Sequence, residues 1–379
     1  MRSEARELRL DDLDGLLEIR GKLSRVKATL DYRCHRNGVR RRGESATYRT
    51  VRGVVSMNVL TNGWVRAAAV AASVAVASVI GMTAVQAQST TAPDATTARL
   101  MNRLGALAAD SMEGRRAGTA GSVRARAWIV AELTAMGAKP VGASYVVPVT
   151  LRARAGSDTA GANIVARIPG RNSHGPVLVL SAHYDHLGVR NGEVFNGADD
   201  DASGCVAMLT IAERLLREPP EHDVILAFFD AEESGMVGSK AFVNAPPVPL
   251  DRIAMNINLD MVARQDGKAL WVSGTSYTPA LKPIAEAAAK HSTVTIRFGH
   301  DTKTLKPGDD WTDSSDHAAF HGKGIPFLYL GVEDHDDYHK AGDDADKVDP
   351  TFYRGTVEFA YALVRAASAT LNTVTRATR

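Results

Sequence analysis

Five short, almost wholly apolar runs most constrain the fold of this chain: residues 177–182 (VLVLSA), 224–229 (VILAFF), 254–259 (AMNINL), 270–273 (LWVS) and 325–330 (IPFLYL). Each is too short for a stable helix, and its apolar residues run on without the alternation of a half-exposed strand, as expected of strands covered on both faces. Helix-type periodicity fills the gaps at 203–217, 239–245, 280–291 and 316–321, and a last long helix is predicted over 350–371. Strands and helices alternating at this spacing imply an α/β fold with a mixed, mostly parallel central sheet and helices on both faces, a three-layer sandwich. Upstream, residues 96–138 read as helix, with Leu100, Leu104 and Leu107, then Ile129 and Leu133, on three- and four-residue steps around a glycine-rich turn at 114–121. Segments 145–152 and 162–168 are β-like and are expected to pair as edge strands. No internal repeat or break marks a second domain, so one domain is expected over 96–375.

The polar residues that follow these runs carry the chemistry. Five stretches end in metal-type ligands: Ser181-Ala182-His183-Tyr184-Asp185-His186, Gly197-Ala198-Asp199-Asp200-Asp201, Asp230-Ala231-Glu232-Glu233, Leu259-Asp260-Met261 and Asp337-Tyr338-His339. In an open α/β sheet, the residues leaving the carboxyl ends of strands gather along one edge, so these donors would converge there. A metal-dependent hydrolase is the leading reading. His183 and Asp185, two apart, share one side of an extended chain. Asp185 can hold the second ring nitrogen of His183 or can itself ligate; a satisfied loop histidine is the bland alternative. Three adjacent carboxylates at 199–201 stand at a helix start, where capping explains one and a cation explains three better. Glu232 and Glu233 point different ways, leaving one free to move protons while the other binds. Asp260 also fits a helix cap or turn, and His339 a solvated loop.

Together these residues resemble family M28 of co-catalytic di-zinc peptidases, the exported bacterial aminopeptidase type. The resemblance spans about 96–370 and rests on His183-Tyr184-Asp185, Gly197-Ala198-Asp199-Asp200-Asp201-Ala202-Ser203-Gly204, Ala231-Glu232-Glu233-Ser234-Gly235, Asn258-Leu259-Asp260-Met261, Ser315-Asp316-His317 and Tyr338-His339. It implies two zinc ions: His183 and Asp260 on one, Glu233 and His339 on the other, Asp200 bridging. It further implies Asp185 orienting His183, Glu232 as general base, and a cis peptide from Asp200 to Asp201. Some family members carry a tyrosine shortly before the Ser-Asp-His segment; this chain has Trp311 there, which fits either a wall of the substrate pocket or core packing. Segments 188–197 and 307–313 are the expected rim, where Glu193, Asp309 and Asp310 are either anchors for a free α-amine or ordinary surface charges.

The implied activity is removal of N-terminal residues from peptides. Carboxypeptidase-like or other amidase specificity on the same fold is the near alternative. A glutaminyl cyclase is less favoured because ligands for two ions are present, and an inactive binding module because ligands and base are all kept.

Composition bounds the partners and the compartment. With 379 residues, 45% apolar and 23% charged, there is material for a large core, and the net charge of +2 marks no nucleic-acid partner. That charge is unevenly spread: residues 1–56 hold fourteen Lys or Arg against eight Asp or Glu, and residues 57–87 add only Arg66. Arg40-Arg41-Arg42 lacks the interleaved aromatics of a nucleic-acid arm. Residues 57–87 read as an export signal, with Met57 as a start, an apolar run at 67–80 and cleavage after Ala87. A periplasmic or secreted protein follows, membrane-bound only if the segment is retained. On this reading 1–56 is an over-extended or disordered N-terminal region, a basic cytoplasmic arm being the alternative, and 88–95 is a linker. Cys34 lies before the signal, so the mature chain keeps only Cys205, expected to be a buried structural thiol. Oligomeric state is not legible.

Overall fold

The computed structural model describes residues 94–151, 159–264, 266–290, 292–302, 306 and 308–374. The basic N-terminal region and the segment expected to be an export signal lie outside the described residues. In chain order the unit contains helices α1 (Ala95–Leu107) and α2 (Ala120–Met136), then strands β1 (Lys139–Pro140), β2 (Val146–Leu151), β3 (Thr159–Ile168) and β4 (Val177–His183). A small hairpin, β5 (Gly188–Arg190) and β6 (Glu193–Phe195), precedes α3 (Gly204–Arg217), β7 (Val224–Phe229), α4 (Val237–Asn244) and β8 (Ile253–Leu259). Then come β9 (Leu270–Ser273), α5 (Lys282–Ala289), β10 (Ile296–Phe298), α6 (His317–His321), β11 (Phe327–Gly331) and α7 (Pro350–Thr370).

The main sheet runs β1-β3-β7-β4-β8-β11-β9-β10, with β2 also on β3. Strands β7, β4, β8 and β11 are mutually parallel, and antiparallel pairs at β3–β7 and β11–β9 make the sheet mixed. Every residue of β4, β7, β8 and β11 is buried, as their unbroken apolar character requires. Alternate residues serve the two faces. Leu178, Leu180 and Leu226 join the core under α1, α2, α3, α5 and α7, while Val179, Ile225 and Phe229 pack against Phe242 of α4 and Phe320 of α6. Burying a side chain of this size stabilises the fold by roughly 1.5–3 kcal/mol, so these two clusters hold the layers together.

Helix ends match their chemistry. Asp94 caps α1, its carboxylate accepting the N–H groups of Thr96 (3.0 Å) and Thr97 (2.9 Å), and Leu100, Leu104 and Leu107 form the buried stripe. Asp349 caps α7 ahead of Pro350 in the same way. The break expected at 114–121 is a 3-10 turn over Asp110–Arg115. Gly114 is required in it: its φ is +58°, and an added Cβ would lie 2.4 Å from the Phe195 carbonyl oxygen. Two expectations change. Strand β3 is an interior strand, bonded to β1, β2 and β7, and the rim segment 188–197 is largely the β5–β6 hairpin, turning at Asn191-Gly192. A period-two signal over three residues is too short to read as a strand, which is why β5, β6 and β10 escaped the sequence.

The chain passes from β4 through α3 to β7 on one side, then returns through α4 to β8 on the other. The winding therefore reverses at β4, which opens a crevice at the carboxyl ends of the strands.

Candidate metal and catalytic centre

The register aligns the strand ends. His183 pairs with Phe229, and Leu330 with Leu259, so residues leaving β4, β7, β8 and β11 emerge along one edge. His183 is the last residue of β4, Glu232 and Glu233 follow β7, Asp260 follows β8 and His339 lies in the loop after β11. Asp200 comes from the turn Ala198–Ser203 that leads into α3, and the Asp200–Asp201 peptide is cis. Together with Glu232, these five side chains line one cleft of about 260 Å³.

Asp200 stands between two donor groups. Its Oδ1 lies 3.3 Å from His183 Nε2, which is 3.5 Å from Asp260 Oδ1. Its Oδ2 lies 3.1 Å from His339 Nε2, which is 3.4 Å from Glu233 Oε2. Burial alone would raise the Asp200 pKa, but His186, His183 and His339 around it hold the carboxyl well below its ordinary value. The acidic triplet divides by partner. Asp201 accepts the backbone N–H groups of Gly204 (2.8 Å), His183 (3.2 Å) and Met261 (3.3 Å), tying three strand-end loops together. Asp199 accepts the Ala263 N–H at 2.7 Å and faces His335 Nε2 at 3.4 Å. Donor atoms of His183, Asp201 and Asp260 also cluster tightly enough for an ion. The three N–H donors on Asp201 make it structural, and leave Asp200 as the carboxylate facing the cleft.

The His183 tautomer follows from its neighbours. Nδ1 faces the Asp185 carbonyl oxygen at 3.1 Å and therefore carries the proton, leaving the Nε2 lone pair toward Asp200 and Asp260. The Asp185 carboxylate is 3.7 Å from Nδ1; its Oδ1 accepts the Glu232 backbone N–H at 2.9 Å instead. Burial pushes the Glu232 carboxyl well above the ordinary range; the charges of Asp316, Asp260 and Asp185 add to this, and His183 opposes it. A raised carboxyl in a cleft is the environment of a proton-transfer group.

Several residues that hold this arrangement carried no sequence signal. Arg115 is fully buried and donates to the carbonyl oxygens of Tyr184 (2.8 Å), Leu107 (3.2 Å), Asn196 and Gly197 (2.8 Å), so it clamps the strand end and loop that bear His183 and Asp200. Asp343, its pKa pushed up to about 6 mainly by burial, accepts the backbone N–H groups of Asp199 and Asp200 at 3.1 Å. Cys205 is buried, and its thiol donates to the His183 carbonyl oxygen at 3.1 Å. Trp311 lines the cleft, half-buried and stacked on His300 at 3.8 Å with a 5° tilt, a placement that fits the wall and not core packing. Of the expected rim acids, Glu193 sits on the hairpin away from the cleft lining, and Asp310 is engaged by Thr312, whose hydroxyl and N–H both donate to it.

A family model for peptidase family M28 matches residues 163–364, the segment that supplies β4, β7, β8, β11 and all six cleft side chains named above. The chain belongs to peptidase family M28. This M28 chain is similar to aminopeptidase YwaD of Bacillus subtilis, at 30% identity over 178 residues, which is 46% of this chain and 36% of that one. It thus spans about a third of that curated relative's length. Among solved structures, a Zn-dependent exopeptidase from Parabacteroides distasonis superposes with a TM-score of 0.57 at 19% identity, covering 72% of this chain and 99% of that one. A glutaminyl cyclase from Porphyromonas gingivalis gives a TM-score of 0.57 at 22% identity over 70% and 96%. These two structures share the α/β fold described above.

Proposed function

We propose that this M28 peptidase is an exported aminopeptidase that works with two zinc ions. The observation that carries the reading is the split of Asp200, one oxygen toward His183 and Asp260 and the other toward His339 and Glu233. The donor set suits zinc: borderline imidazole and carboxylate groups, mostly buried, with Glu233 Oε1 lacking a hydrogen-bond partner among the described residues. His183 and Asp260 would hold one ion, Glu233 and His339 the other, and Asp200 both. Zinc would supply Lewis acidity and lower the pKa of a water in the cleft. Glu232 would take a proton from that water as its oxygen adds to the scissile carbonyl carbon, and return it to the amine nitrogen as the C–N bond breaks, a cycle suited to a carboxyl whose pKa is raised. Asp185 holds the His183 ring through its carbonyl and the Glu232 main chain through its carboxylate. The Tyr329 hydroxyl donates to the Asp260 carbonyl, which leaves Tyr338 as the cleft phenol for the substrate.

Charge supports N-terminal over C-terminal specificity. Among the described residues, the cleft lining holds neither lysine nor arginine, and Asp334 is its one carboxylate assigned neither to an ion nor to proton transfer. A free α-ammonium is matched there, whereas a terminal carboxylate lacks the basic partner it needs. The apolar lining of Met261, Trp311, Tyr329 and Val332 fits an apolar first side chain.

The test is hydrolysis of Leu-p-nitroanilide and of paired free and N-acetylated peptides, after chelation and zinc restoration. Zinc-restored cleavage of free peptides alone supports the proposal; undiminished cleavage of acetylated peptides overturns it. Export is read separately: mass spectrometry of the secreted protein should find Gln88 at the N-terminus.

A further inference from the structure

His186 belongs to none of the roles assigned so far, yet it sits against the cleft carboxylates. Its side chain is fully buried, and neither ring nitrogen has a hydrogen-bond partner among the described residues. Nδ1 approaches Glu233 Oε1 to 2.7 Å and Asp200 Oδ2 to 3.6 Å. Glu233 Oε1 is likewise buried without a hydrogen-bond partner, so the short contact lacks hydrogen-bond geometry. A buried imidazole facing two carboxylates with unused lone pairs is costly unless a cation lies among them. The three donor atoms lie within 4.8 Å of one another. Ligands about 2.0–2.1 Å from a tetrahedral zinc stand roughly 3.3 Å apart, and 2.7 and 3.6 Å bracket that separation.

The ring is also held where it is. Gly197 lies against it so closely that a Cβ there would come within 2.5 Å of the ring's Cγ and Cδ2. The glycine and the histidine therefore form one packed unit beside Asp200.

We propose that His186 is a further nitrogen ligand of the ion held by Asp200, Glu233 and His339, an inference that rests on the two-zinc reading above. It makes the two positions unequal: the one at His183 is closed by His183, Asp260 and Asp200, while the other gains a second imidazole.

Zinc K-edge absorption on the wild-type protein loaded with two ions should find three histidines shared by two ions. Titration of metal-free His186→Gln and His186→Ala with zinc, against a chromophoric chelator, should show one of the two sites weakened by roughly tenfold or more and the other unchanged. Circular dichroism of the metal-free variants establishes that they fold, and the absorption measurement on wild type stands even if they do not. Two histidines for two ions, or two sites of unchanged affinity in folded variants, overturn the inference and leave the two-zinc reading intact. A wild-type protein that binds fewer than two ions overturns that reading itself.

Discussion

The backbone N–H of Glu232 donates to Asp185 Oδ1 at 2.9 Å. The start of the segment bearing the proposed base is thus fixed by the residue whose carbonyl orients the His183 ring, so the proposed proton transfer and metal binding would share one support.

Substituting Glu232→Gln keeps the side-chain volume and removes the basic oxygen. The expected result is a fall in kcat of about 10²–10⁴-fold with two zinc ions still bound. Elemental analysis alongside steady-state kinetics checks both halves, and loss of zinc from a folded variant would assign Glu232 to the ligands instead.

Asp200→Asn should act on both ions. Because each Asp200 oxygen faces a different imidazole, zinc content should fall at both positions, whereas Asp260→Asn should weaken only the one at His183. Chelator-competition titrations distinguish the two patterns.

Arg115→Met leaves the carbonyls of Tyr184, Leu107, Asn196 and Gly197 without their donor. Buried acceptors left unpaired cost about 1–3 kcal/mol each, and partial relaxation leaves an expected loss of about 3–5 kcal/mol. Urea unfolding measures it; a loss below about 1 kcal/mol would refute the clamp. Arg115→Lys, with fewer donors, should fall between the two.

His317, which is not among the proposed ligands, supplies a pH signature. Burial depresses its pKa from 6.5 to about 4, and its Nε2–H donates to the Trp311 carbonyl at 2.8 Å. The folded state prefers the neutral ring, so this stability is full above pH 6.5 and is lost as pH falls toward 4. The total is about 3 kcal/mol. His317→Gln keeps an N–H donor but cannot titrate, and its melting temperature should vary less between pH 6.5 and 4 than that of wild type.

Much of this was legible in the sequence because it rests on local patterns. The runs at 177–182, 224–229, 254–259 and 325–330 announce buried strands, and the polar residues just after them fall along one edge. What was not legible depends on distant pairings. Nothing around Arg115 shows that it meets carbonyls more than eighty residues later, at Asn196 and Gly197. Nothing near Asp343 shows that it receives the main chain of Asp199 and Asp200. Read alone, the aspartate triplet is three like charges in need of a cation; folded, Asp201 is held by three backbone N–H groups, while Asp199 accepts the Ala263 N–H and faces His335.

The buried Cys205, bonded to the His183 carbonyl, gives the chain a chemical reporter. A thiol-reactive dye cannot reach that sulfur while α3 stays docked on the end of β4. In a protein begun at Gln88 it would be the only thiol, so the labelling rate would count how often this edge of the molecule opens. Slower labelling with zinc than without would measure how tightly the proposed ions lock this strand end.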